Sequence, residues 1–275
     1  MRFLTSQMNY YNEHDPKAAA WLRELIAQGL IPTGDVDERS IVEIKPHEIA
    51  RYTQCHWFAG IAGWSFALQL AGWPEARPVW TGSCPCQPFS SAGQQKGQAD
   101  ARHLWPVFFN LIRECRPEHI FGEQVASAIG HGWLDGVSAD LESEGYACGA
   151  VVFGAHSVGA PHIRQRLYWM ANANSIGIRA IVGSGEIKDG TEEIGRDSNR
   201  RSGDVDECCT DGWSNFSIVH CRDGKARRLE PESFPLAHGI PGRVGLLRGY
   251  GNAIVPQVAA EFIRAFLDAE QDLTK

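Results

Sequence analysis

A chain of 275 residues with 43% hydrophobic and 21% charged side chains has apolar material for one full α/β domain and a smaller companion, which excludes a disordered or collagen-like polypeptide. No run reaches the roughly 18 apolar residues of a membrane helix, and the start MRFLTSQMNYYNEHD lacks the apolar stretch of a secretory signal, so a cytoplasmic protein without a membrane partner is expected. The net charge of −7 argues against a generally sticky nucleic-acid binder while allowing a local basic face, and the eight unevenly spaced cysteines fit reduced thiols.

Residues 8–15 read as a strand and 16–30 as a helix with Trp21, Leu22, Leu25, Ile26 and Leu30 on one face and Gly29 near its end. A short strand at Gly34, Asp35 and Val36 and a brief helix over 46–52 complete one α/β unit. Cys55-His56-Trp57-Phe58 then reads as a buried strand, followed by the glycine-rich turn Ala59-Gly60-Ile61-Ala62-Gly63 and a helix over 64–71. A strand over 78–81 runs into Gly82-Ser83-Cys84-Pro85-Cys86-Gln87-Pro88-Phe89-Ser90, and the Gly/Gln/Ser-rich stretch 91–101 reads as a mobile loop. A helix over 105–115, a strand over 119–121 leading into Gly122-Glu123-Gln124-Val125, a helix over 134–144 and strands over 147–153 and 166–171 follow. This alternation predicts an α/β fold, a parallel sheet covered by helices on both faces. From residue 172 to about 245 glycine, serine and charge replace apolar runs, which predicts a second, small and irregular domain after a first domain over 1–171. Residues 246–275, with Gly251-Asn252-Ala253-Ile254-Val255-Pro256 and an amphipathic helix over 257–270, return to the first domain.

Cys86 stands at the carboxyl end of a predicted parallel strand, where open α/β sheets place reactive groups, and a thiolate there is a strong nucleophile. A lone cysteine is more often a small core residue. Cys84-Pro85-Cys86 is C-x-C rather than C-x-x-C and has no second pair at zinc-ligand spacing, so redox and metal readings are weak. Cys208, Cys209 and Cys221 near His220 make a poor tetrahedral set, and no metal is expected.

Five segments together resemble the DNA cytosine-5 methyltransferases: Phe58-Ala59-Gly60-Ile61-Ala62-Gly63 looks like their cofactor loop, Pro85-Cys86-Gln87 their nucleophile motif, and Gly122-Glu123-Gln124-Val125 their Glu-Asn-Val motif. His162-Ile163-Arg164-Gln165-Arg166 looks like their Gln-x-Arg-x-Arg motif and Gly251-Asn252-Ala253-Ile254-Val255-Pro256 their last one. The resemblance implies a Rossmann-like sheet that binds S-adenosyl-L-methionine, with double-stranded DNA as substrate. Cytosine C5 is a poor nucleophile until something adds to C6. Cys86 would add there, Glu123 would bond or protonate N3, Arg166 would hold O2 and Arg164 would buttress the site. To donate a proton near neutral pH, Glu123 needs a raised pKa or a charge-assisted bond. The target base must be flipped out of the duplex, with residues 90–102 closing over it.

The family usually carries two further strands between the cofactor loop and the nucleophile, and here only residues 69–79 intervene. Asn12-Glu13-His14-Asp15-Pro16 with its Ala-rich helix looks like the ribose-binding motif, and Gly34-Asp35-Val36 like the adenine-binding one, both ahead of the glycine loop. The implied chain order is rearranged: ribose and adenine strands first, glycine-loop strand third, nucleophile strand fourth. The alternative is an unrelated N-terminal extension on an incomplete enzyme. Cofactor contacts are then expected from Glu13, His14, Asp35, Val36, Phe58, Gly60, Ile61, Gly63, Ser83, Pro85, Asn252 and Ala253.

Some positions depart from the family. Ala62 replaces a glycine, which is tolerable if its backbone is not left-handed. Gln124 replaces Asn and His162 replaces Gln, changing reach, and His56 stands at or near the place of the usual acidic residue. Residues 172–245 occupy the place of the target-recognition region, with Arg200, Arg201, Lys225, Arg227 and Arg228 as candidate phosphate contacts. A monomer in a bacterial or phage-infected cell is expected, and the resemblance admits a cognate restriction endonuclease as companion. An RNA cytosine-5 methyltransferase of the tRNA-modifying type and a non-catalytic DNA-binding relic remain as alternatives.

Overall fold

The structure, a computed structural model, describes residues 9–85, 104–160, 162–173, 217–220, 226–229 and 253–273. Strands β1 (Asn9–Asn12), β2 (Gly34–Asp37), β3 (Gln54–Trp57), β4 (Val79–Gly82), β5 (His119–Val125), β6 (Ala147–Gly154) and β7 (Gln165–Asn172) form one sheet in the order β2-β1-β3-β4-β5-β7-β6. The first five run parallel. The sheet is not wholly parallel as expected, because β7 lies antiparallel between β5 and β6. Its link to β6 carries only a short 3-10 turn, Ala155–Val158, and a parallel return would need a full helical crossover.

Side chains alternate across this sheet and feed two helical layers. On one face Tyr10, Cys55, Trp57, Trp80, Ile120 and Trp169 pack with α4 (Trp105–Cys115) and α5 (Trp133–Ser143) through Phe108, Ile112 and Leu141. Against the other face, Phe121, Tyr168 and Met170 meet α3 (Gly63–Leu70) and α6 (Pro256–Leu273) through Leu68, Val258, Ile263 and Phe266. Beside them Tyr11 packs on Leu22 of α1 (Pro16–Ala27).

Helix α1 starts where Asp15 accepts hydrogen bonds from the Lys17 and Ala18 amides and Pro16 takes the first helical position, whose N–H would have no partner. It ends three residues earlier than expected, and Leu30 is exposed beyond it. The short helix α2 (Pro46–Ile49) buries Ile49 in the cluster that holds Tyr10 and Trp57. In the region expected to form a second domain, β8 (Ser217–His220) and β9 (Ala226–Leu229) pair antiparallel. Among the described residues no helix is long and apolar enough to cross a membrane.

Candidate active site

The sheet order creates a crevice. β1 leads through α1 to β2 on one side and β3 leads through α3 to β4 on the other, so the chain diverges between the adjacent carboxyl ends of β1 and β3. That is where open α/β sheets bind ligands. Asn12 pairs with Trp57 at these ends, so Glu13 and the glycine turn emerge side by side. The Glu13 carboxylate accepts from the Gly60 amide at 2.7 Å through Oε2 and from the Asp15 amide at 2.8 Å through Oε1.

Gly60 has φ +56 and Phe58 has φ 52, both in the left-handed region. For Phe58 this is a strained conformation of the kind found at ligand sites, and its ring packs edge-on against Phe108 at 6.0 Å. Ala62 also has φ 66, so the condition for painless replacement of glycine is not met; its buried methyl packs instead with Tyr11, Leu22 and Ile31. Gly63 is required by close approach, since a Cβ there would lie 2.7 Å from Ile254 Cγ1. The last motif is thereby pressed against the first turn of α3.

Several other residues expected to touch a cofactor lie on β2 and the turns beside it. His14 is exposed, with Nδ1 3.0 Å from the Glu38 carbonyl oxygen, while Val36 and Ile61 are half-buried. Asp35 accepts from the Tyr52 hydroxyl at 2.5 Å and from Arg51 at 3.0 Å, two residues short of the carboxyl end of β2. Asp37 occupies that end, accepting from the Tyr10 hydroxyl at 2.8 Å and from the Arg39 guanidinium. Burial pushes its carboxyl up, but the hydrogen bonds from Arg39 outweigh this and hold it below the ordinary range. The sequence reading passed over Asp37, although an acid ending a parallel strand is a usable signal.

Three strands bring the expected chemical groups together. Ser83, Cys84 and the exposed Pro85 follow β4; Cys86, the loop over 90–102 and Asn252 lie outside the described residues. Burial pushes the Cys84 thiol up, which leaves it a core residue. Glu123, within β5 rather than beyond it, is buried, and its Oε1 lies 2.9 Å from Arg166 Nε on β7. Burial raises its carboxyl above the usual range; Arg166, a hydrogen bond from Ser83, and Arg164 act against that rise. The net direction is the one a proton donor needs.

Arg164 donates to the carbonyl oxygen of Ala253, so the arginine segment grips the last motif. Burial and then the like charge of Arg166 push its guanidinium downward, against Glu123. Gln124 is buried; its Nε2 donates to the Cys84 carbonyl at 3.3 Å and its Oε1 accepts from the Val125 amide at 3.0 Å. The longer side chain thus still reaches the backbone leading to Cys86. His162 and Ile163 are exposed. The indole of Trp64, which the sequence reading treated only as helix, donates to Ser83 Oγ at 3.0 Å.

Among the described residues no group of three His, Cys, Asp or Glu side chains could hold a metal ion. Cys208, Cys209, Cys221, Arg200, Arg201 and Lys225 lie outside them. His220 is in β8, and Arg227 and Arg228 are in β9.

A seven-stranded sheet with an antiparallel strand inserted next to the edge and a crevice at the β1/β3 divergence is a Rossmann-like α/β sheet. Residues 77–206 match the profile of the C-5 cytosine-specific DNA methylase family. The chain is 35% identical over 95 residues to the type II methyltransferase M.AplI of Arthrospira platensis, covering 34% of this chain and 28% of that one. With M.NlaX of Neisseria lactamica identity is 30% over 138 residues, covering 48% of this chain and 43% of the relative. The chain therefore spans less than half the length of these relatives. The solved structure of S. pombe Dnmt2 methyltransferase is 15% identical at a TM-score of 0.48, covering 95% of this chain and 98% of that one.

Proposed function

We propose that the protein transfers a methyl group from S-adenosyl-L-methionine to C5 of a flipped cytosine in duplex DNA, through a covalent adduct between Cys86 and C6. The observation that carries this reading is the buried Glu123–Arg166 pair, set on β5 and β7 beside the segment that leads from β4 to Cys86. The crevice fits the cofactor chemically: Glu13 offers carboxylate oxygens to a ribose diol, Asp35 an acceptor to an adenine amine, and Phe58 an aromatic edge to the ring, beside the glycine turn at the switch point. When bound, the cofactor supplies an electrophilic methyl group.

The residues of the chain prepare the acceptor. The Cys86 thiolate adds to C6, and Glu123, its carboxyl raised by burial, donates to N3 so that the electron pair reaching the ring is held as an enamine with a nucleophilic C5. Arg166 keeps Glu123 in place with Nε and has further N–H groups for O2. Arg164 ties this strand to Ala253. After methylation, loss of the C5 proton expels the thiolate and restores aromaticity. Residues 172–245 would select the DNA sequence, as the segment between the base-holding arginines and the closing motif.

The test is Cys86→Ala. Transfer of labelled methyl to duplex DNA should fall by several orders of magnitude while calorimetric binding of S-adenosylmethionine is retained, because the thiolate enters the chemistry and does not hold the cofactor. Normal turnover without Cys86 would overturn the covalent route.

A further inference from the structure

Trp64 is the second residue of α3, directly after the glycine turn, and its indole is buried between Phe121 of β5, ring centroids 6.3 Å apart, and Tyr168 of β7 at 6.1 Å. An indole N–H can only donate, so at the 3.0 Å contact Ser83 Oγ is the acceptor. A serine hydroxyl that accepts from one side still has one proton to place. Its other partner is the Glu123 carboxyl, on the same face of β5 as Phe121.

We propose that Ser83 is a positioning residue whose hydroxyl accepts from Trp64 and donates to Glu123, so that the carboxyl meeting the pyrimidine is oriented by the helix that carries the cofactor turn. The proposal rests on the methyltransferase reading for its purpose, though the geometry stands apart from it. Orientation matters because a hydroxyl free to rotate could place its proton elsewhere, whereas the Trp64 N–H takes one lone-pair direction of Ser83 Oγ and favours the proton pointing to Glu123. Gly63 pressed against Ile254 keeps α3, and with it Trp64, from drifting away. Cofactor turn and base-binding carboxyl would then be coupled through Trp64 and Ser83. Among the described residues the charged and titratable groups facing Glu123 are Arg166 and Tyr168 on β7 and Arg164 just before it.

The experiment follows the Glu123 carboxyl directly, by carbon-13 NMR titration of protein labelled at glutamate side-chain carboxyls, with Glu123→Gln to assign the signal. In Ser83→Ala the midpoint should move up by about one pH unit, the size of one donor lost from a carboxylate. Ser83→Thr should restore it, and Trp64→Phe should move it the same way by less. The limb of the kcat profile that falls with rising pH should move with the midpoint, and S-adenosylmethionine affinity should not change. A purely structural role for Ser83 would lower kcat without moving either quantity. An unmoved midpoint in Ser83→Ala overturns the proposal, as does lost cofactor affinity with the midpoint in place, which would make Ser83 a cofactor contact. If the wild-type protein transfers no methyl group, the functional reading falls while the titration still decides the role of Ser83.

Discussion

Replacing Gly63 with alanine probes the contact between the first and last motifs. The added Cβ would meet Ile254 Cγ1 at 2.7 Å, Cδ1 at 3.4 Å and the carbonyl oxygen at 3.8 Å. Carbon atoms rest at about 3.5–4.0 Å, so the Cγ1 contact is roughly 1 Å too close. Ile254 is buried in the cluster of Val258, Ala259 and Trp64, and relief requires either its rotamer or the start of α6 to shift. Overpacking of this kind costs about 1–3 kcal/mol. Ile254→Ala alone should cost about 2–5 kcal/mol through the cavity it leaves. In the double variant the new methyl enters that cavity, so the two losses should fall short of their sum by about 1–2 kcal/mol. Urea denaturation followed by tryptophan fluorescence measures all three variants. Strictly additive losses would show that the two segments do not touch, and the packing that seats the cofactor turn on the last motif would have to be abandoned.

Three further outcomes are expected. Glu13→Ala and Asp35→Ala should each weaken S-adenosylmethionine binding by about 1–3 kcal/mol in protein that keeps its circular dichroism, the size of charge-assisted bonds left unmade, and wild-type affinity in both would contradict their assignment. Because burial raises the Glu123 carboxyl in the folded state, the folded protein holds that proton more tightly than the unfolded chain. Its contribution therefore turns against folding as pH climbs from the unfolded value of about 4.3 through the folded one, at up to about 1.4 kcal/mol per pH unit, and levels off above. Glu123→Gln lacks this loss, so its stability relative to wild type should improve across that window, and a pH-independent difference in denaturation midpoint would contradict the burial effect. Ala62→Gly relieves about 1–2 kcal/mol of left-handed strain but gives up about 0.8 kcal/mol of methyl burial and frees the unfolded backbone, so near-neutral stability is expected in urea melts.

The two amino-terminal strands were legible in the sequence because their clues are local: Glu13 before a capped helix and Asp35 in a short strand are recognisable wherever they occur. The sheet agrees with that reading by placing β1 next to β3 and β2 outside β1. What could not be read depends on contacts between distant strands. The antiparallel insertion of β7 leaves no mark on the apolar, aromatic-bearing pattern of Gln165–Asn172, because alternation is the same in either direction. The left-handed backbone of Ala62 is set by how the turn meets α1 and β1, and alanine gives no sign of it. Ser83 illustrates the same limit at the site: its hydrogen-bond partners are Trp64, 19 positions away in sequence, and Glu123 on another strand, and its sequence neighbours give no sign of either.

The central claim is tested most directly by the product. Purified protein is incubated with duplex DNA and methyl-labelled S-adenosylmethionine, the DNA is digested, and the nucleosides are identified by mass spectrometry, with transfer RNA as a parallel substrate. The account expects 5-methylcytidine's deoxy form from the duplex, absent with Cys86→Ala. Label on the exocyclic N4 of cytosine, on adenine, or on transfer RNA alone would contradict it.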